Sequence, residues 1–128
     1  MIRAENLAGK YQVQFGNGTV TGIADTAADK GGAGNGFRPH ELLEAALASC
    51  TVMTLRMYAE KHGFSYAGIG VKVGLDRTRP ERPVFECCVS FPAGFPEERR
   101  ARMLEIAGCC PVHKTLASTL AFKIDSQG

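Results

Sequence analysis

The chain has 128 residues, 45% hydrophobic and 22% charged, with a formal net charge of +2. That length predicts one domain over residues 1–128 with a core of adequate size, and the composition is that of an ordinary globular chain. The small, dispersed charge argues against nucleic acid or a membrane surface as partner. No apolar run is long enough to span a bilayer, because Glu44 and Arg56 interrupt the longest one.

The opening Met1-Ile2-Arg3-Ala4-Glu5-Asn6 lacks the apolar segment of a signal peptide, which predicts a cytoplasmic protein. In that compartment the five cysteines stay reduced, and any disulfide is expected to be transient and catalytic. Tyr11, Val13 and Phe15 alternate ahead of Asn17-Gly18, and Thr19 to Ile23 resume the pattern, which predicts a hairpin. Residues 25–36, rich in Gly, Ala and Asp, read as a mobile connector. They carry neither a Gly-Lys-Ser/Thr phosphate motif nor dinucleotide glycine spacing.

Pro39 opens a long helix at its first position, with Glu41 suited to the positive end of the dipole. The helix is predicted to run to His62 and stop at Gly63. Between residues 45 and 55 its apolar side chains go nearly all the way round, so burial is expected on most sides. A chain this small can hardly supply that cover alone, and a second subunit is expected. Two alternating strands follow, carried by Ile69, Val71, Val73 and Leu75 and by Phe85, Cys87, Val89 and Phe91. Their alternation places Cys87 inward and Cys88 outward. Pro96-Glu97-Glu98 starts a second helix ending at Gly108, and Leu120, Phe122 and Ile124 suggest a last strand. About five strands and two helices, mostly meander-connected, make an α+β fold.

Cys87-Cys88 and Cys109-Cys110 are adjacent pairs without zinc-type spacing, so no metal is expected. Cys87, Cys88 and Cys109 read as small fillers or incidental thiols. Cys50, in the middle of the apolar helix, is open to two readings. It is either a core residue, with its thiol pKa raised by burial, or a reactive thiol with a cationic or hydrogen-bonding partner. Pro111 disfavours helical geometry at Cys110 and so turns that residue out of the preceding helix. His113 is either a base or a residue that pins the turn.

Three segments carry a resemblance: Pro39-His40-Glu41-Leu42-Leu43, the run from Ala45 through Cys50 to Ala59, and Cys110-Pro111-Val112-His113-Lys114-Thr115-Leu116. Together, and in this order, they resemble the OsmC-like family, which comprises osmotically inducible protein C and the organic hydroperoxide resistance proteins. The resemblance implies an intertwined homodimer, with long central helices packed against antiparallel sheets and active sites at the subunit interface. It implies a peroxidase in which the residue at Cys50 attacks a hydroperoxide and the one at Cys110 resolves the sulfenic acid to a disulfide. A small dithiol or a lipoylated protein would then reduce the disulfide, and no cofactor is implied. Well-studied branches carry a Glu directly after the proline and an Arg in the segment before the helix. Here His40 follows Pro39, and between residues 21 and 37 Lys30 is the single basic residue. Glu41 and Arg38 are therefore the local candidates for orienting the thiolate. The alternative within the family is a member without peroxidase activity that binds a small apolar or thiol ligand in the dimer cleft.

Overall fold

The computed structural model describes all 128 residues, Met1–Gly128. Its contacts gather into two compact units, residues 1–45 and 46–128. The first holds an antiparallel sheet of β1 (Arg3–Asn6), β2 (Val13–Gly16) and β3 (Thr21–Ala24), in that order. The predicted hairpin is β2–β3, but its loop is longer than two residues, because the register pairs Gly16 with Thr21. The reason lies in Asn17. Its side-chain oxygen accepts the N–H groups of Thr19 (2.9 Å) and Val20 (2.8 Å), which folds residues 17–20 into a loop closed by its own side chain. The sequence reading missed β1, whose residues are polar apart from Ala4, are exposed and carry no hydrophobic alternation.

The glycine-rich stretch expected to be a mobile connector is internally bonded. A single parallel bridge between Ala24 and Phe37 ties its two ends, and a 3-10 turn forms at Ala28–Lys30. Asp25, only 2% exposed, organises the middle. Its carboxylate accepts the N–H groups of Thr26 (2.7 Å), Ala33 (3.2 Å) and Asn35 (3.2 Å). A Cβ at Gly32 would stand 2.7 Å from an Asp25 oxygen, so glycine is needed for the loop to close on that carboxylate. Glycine content suggested freedom; here it permits close approach.

Helix α1 covers Pro39–Lys61, one residue short of the expected end. Glu41, at the third position, reaches back to accept the Arg38 N–H at 2.8 Å, which is one half of a capping box. At the other end Gly63 takes φ 71°, the Phe64 N–H donates to Ala59 O (3.0 Å) and the Gly63 N–H to Glu60 O (3.3 Å). That is a Schellman stop. Leu47, Thr51, Leu55 and Ala59 form the buried stripe at four-residue spacing, whereas Met53 and Met57 are exposed in the single chain. No helix is long and apolar enough to cross a membrane.

In the second unit β4 (Gly70–Asp76) pairs antiparallel with β5 (Val84–Ser90), Val71 opposite Val89, Val73 opposite Cys87 and Leu75 opposite Phe85. Alternation thus puts Cys87 on the face of Phe85 and Val89, as expected. It is not inward, however. Cys87 is exposed like Cys88, because a two-stranded sheet in one chain leaves much of its apolar face uncovered. Helix α2 is Glu97–Ala107, with Met103 fully buried. A short helix α3, Pro111–Leu116, was not foreseen. The predicted last strand is absent: Leu120, Phe122 and Ile124 are exposed and unpaired. Their alternation supplies β character, but in the single chain they pair with no strand.

Candidate active site

Cys50 sits on the middle turns of α1, and Cys110 immediately precedes α3. Pro111 at the first position of α3 forces Cys110 out of helical geometry, to φ −58° and ψ 134°. The backbone then folds into α3 so that the His113 N–H points at the Cys110 sulfur and the Val112 N–H is shared between the Cys110 and Cys50 sulfurs. Cys110 is fully buried, whereas Cys50 is half-buried. The two thiols are hydrogen-bonded to each other.

This arrangement splits the two acidities. Burial pushes the Cys110 thiol up, but the Cys50 thiol, the His113 and Val112 N–H groups and the Thr51 hydroxyl outweigh it and hold Cys110 below the usual thiol value. Cys50 is pushed up, first because its S–H is engaged by Cys110 and next by burial. Within the pair these directions favour the charge on Cys110 over Cys50. Titration belongs to the pair as a whole.

Two threonines frame it. Thr51, 1% exposed, donates its hydroxyl to Leu47 O at 2.8 Å, and Thr54 donates to Cys50 O at 2.8 Å. A hydroxyl has one hydrogen, so Thr51 serves either the Leu47 carbonyl or the Cys110 sulfur, and turning to the sulfur stabilises a thiolate. The sequence reading missed Thr51 because a threonine on an apolar helix face has no signature of its own. Its four-residue spacing from Leu47 and Leu55 was the available signal.

The other candidates fall elsewhere. Arg38 and Glu41 are engaged with each other at the start of α1, Nε to Oε1 at 3.4 Å, and neither is among the partners of the thiol pair. The Arg38 N–H and then its guanidinium hold the Glu41 carboxyl below its ordinary value. His113 contributes its backbone N–H; its side chain is exposed. The exposed Cys109 donates its S–H to Glu105 O at 3.4 Å. Cys87 is pushed up by loss of hydration and then by the neighbouring Cys88 and Cys110 thiols, which disfavours its thiolate.

Residues 31–125 match the family model described as OsmC-like protein. No curated protein matches the chain. Among solved structures, a Psychrobacter arcticus protein described as an osmotic stress induced and detoxification response protein superposes with a TM-score of 0.74 at 22% identity, covering 89% of this chain and 85% of that one. The organic hydroperoxide resistance protein OsmC of Legionella pneumophila gives 0.65 at 17% identity, covering 91% and 88%. The organic hydroperoxide resistance protein OhrB of Bacillus subtilis gives 0.62 at 17% identity, covering 91% and 89%. At these identities the neighbours speak for the fold, and it is the family model, matched over most of the chain, that places the protein in the OsmC-like family.

Proposed function

We propose that the protein is a thiol peroxidase that reduces a small hydroperoxide through Cys50 and Cys110. The observation that carries this reading is the hydrogen-bonded thiol pair, one member reachable and one buried, with backbone N–H groups aimed at the buried sulfur. Exposure makes Cys50 the attacking residue, although its thiol is the one pushed up and the Cys110 thiol the one held down. As the Cys50 sulfur attacks the terminal peroxide oxygen, its proton passes to the Cys110 thiolate, the O–O bond breaks and the departing alkoxide takes a proton from solvent to leave as the alcohol. Cys50 becomes sulfenic acid. The Cys110 sulfur then attacks the Cys50 sulfur, water leaves and a disulfide forms. An external dithiol, small or carried by a lipoylated protein, returns the pair to the reduced state.

Arg38 and Glu41 enter this reading as a positioning pair that fixes the first turn of α1. The exposed Met53 and Met57 side chains support a homodimer in which the central helices of two copies meet. A reducing compartment such as the cytoplasm suits a cycle that must be reset by a thiol. The test is peroxide consumption with a dithiol donor, comparing hydrogen peroxide with an aryl hydroperoxide. Turnover that survives Cys50→Ser would refute it. For the dimer, light scattering coupled to sizing at micromolar concentration should give twice the chain mass; a well-folded monomer would refute that part.

A further inference from the structure

Two recesses of about 320 and 350 Å³ in the second unit are both lined by Phe64 and Arg99. Each is in the size range of a small-molecule site. The first is largely apolar, with Phe95, Pro92 and Ala67 on its walls. The second is polar, bounded by Tyr58, His62, Glu98 and Arg102. Phe64 and Phe95 meet edge to face at 6.3 Å, and Phe91 stacks on Phe95 at 4.7 Å, which makes the apolar wall a firm aromatic surface.

Arg99 is the unusual member. Its guanidinium lies over the Phe64 ring at 4.1 Å. It is half-buried, yet no carboxylate lies within ion-pair distance of it. The other helix arginines of this unit are all paired: Arg56 with Glu60 at 2.9 Å, Arg100 with Glu97 at 3.0 Å and Arg102 with Glu105 at 2.7 Å. A guanidinium stacked on a ring has one face occupied and its N–H edge uncommitted, the geometry that receives a carboxylate in two parallel hydrogen bonds. Arg102 adds a second cation nearby, braced by Glu105 and the Tyr58 hydroxyl. Glu98 on the rim opposes a doubly charged ligand and leaves room for a monoanion.

We infer that the recess at Arg99 binds a small aryl carboxylate, its carboxylate on the Arg99 edge and its ring against Phe95 and Pro92. The site is independent of the thiol chemistry and uses none of its residues. Benzoate is the probe, titrated calorimetrically into the full-length protein, with acetate and benzyl alcohol as controls that lack the ring or the charge. Saturable binding of one benzoate per chain is expected, with both controls weaker by about tenfold or more. Arg99→Met keeps a long apolar side chain at the position and removes the charge, and it should weaken benzoate by about tenfold. Cys50→Ser should bind benzoate as the parent does. Should Arg99→Met fail to fold, chemical-shift changes at the Phe64, Phe95 and Arg99 amides of the parent on adding benzoate decide the same point. Absence of saturable binding overturns the proposal. So does acetate binding as tightly as benzoate, an Arg99→Met protein that binds like the parent, or loss of binding in Cys50→Ser.

Discussion

Asp25 and Cys110 are two buried acids held by the same device, backbone N–H groups converging on a side-chain anion, and they differ in what else touches them. Around Asp25 the loop supplies three main-chain donors and the segment before β2 adds the Gln12 side chain, with no other acid among its partners. Burial pushes its carboxyl up, but the Asn35, Thr26 and Ala33 N–H groups and Gln12 outweigh it and the group is held below its ordinary value. The charge there is permanent, and it locks a loop. Around Cys110 the donors are the His113 and Val112 N–H groups and the Thr51 hydroxyl, and the fourth neighbour is a second, titratable thiol. A stabilised anion beside a titratable partner becomes a place where a proton can move. The difference between a structural lock and a reactive pair is therefore the neighbour, not the donors.

The largest effect should come from removing that neighbour. Cys50→Ser is expected to abolish peroxide consumption, and Cys110→Ser to allow one turnover that leaves Cys50 as sulfenic acid, which then over-oxidises. Trapping with a dimedone-type reagent and intact mass would check both; continued turnover by either variant would break the comparison. Asp25→Asn should keep the activity of folded protein while lowering the melting temperature by about 3–6 °C at neutral pH. Its pH dependence has a definite sign. Because the folded pKa lies below the unfolded one, the contribution is fully present above the unfolded value of about 3.9 and is lost as pH falls through the folded value. The gap between parent and Asp25→Asn should therefore close in acid, which melts from pH 7 to pH 3 would reveal. A gap that stays constant would deny Asp25 its charge.

A subtler perturbation acts on Cys110. Single-turnover rates should rise with pH through an apparent value below that of an ordinary thiol, since the first proton leaves the pair easily. Thr51→Val removes one donor, so it should move that inflection upward and slow the reaction at neutral pH by about three- to tenfold. An unchanged profile would show that the Thr51 hydroxyl stays on the Leu47 carbonyl throughout.

Much of this was legible in the chain, for identifiable reasons. Pro39, Glu41 and Gly63 bracket α1 because they act within one turn, and Pro111 announces the exit at Cys110 by sterics alone. The β4 and β5 faces follow from alternation. What escaped depends on partners distant in sequence or missing from it. The Asp25 lock draws on Ala33 and Asn35, eight and ten residues away, so composition alone read the stretch as slack. β1 exists because it pairs with β2, whereas the better-patterned 120–124 segment pairs with no strand of the chain. Cys87 shows the limit of alternation, which fixes a face but not whether that face is covered. At the thiol pair, position and motif marked Cys50 and Cys110, while the order of their acidities required the directions of the Val112 and His113 N–H groups.

The most direct test of the central claim is non-reducing peptide mapping after one equivalent of hydroperoxide is added to the fully reduced protein. The account predicts a single disulfide, Cys50 to Cys110, formed within the chain at the rate of peroxide loss. A mapped bond to Cys87 or Cys109 instead, or peroxide loss with all five thiols still free, would contradict it.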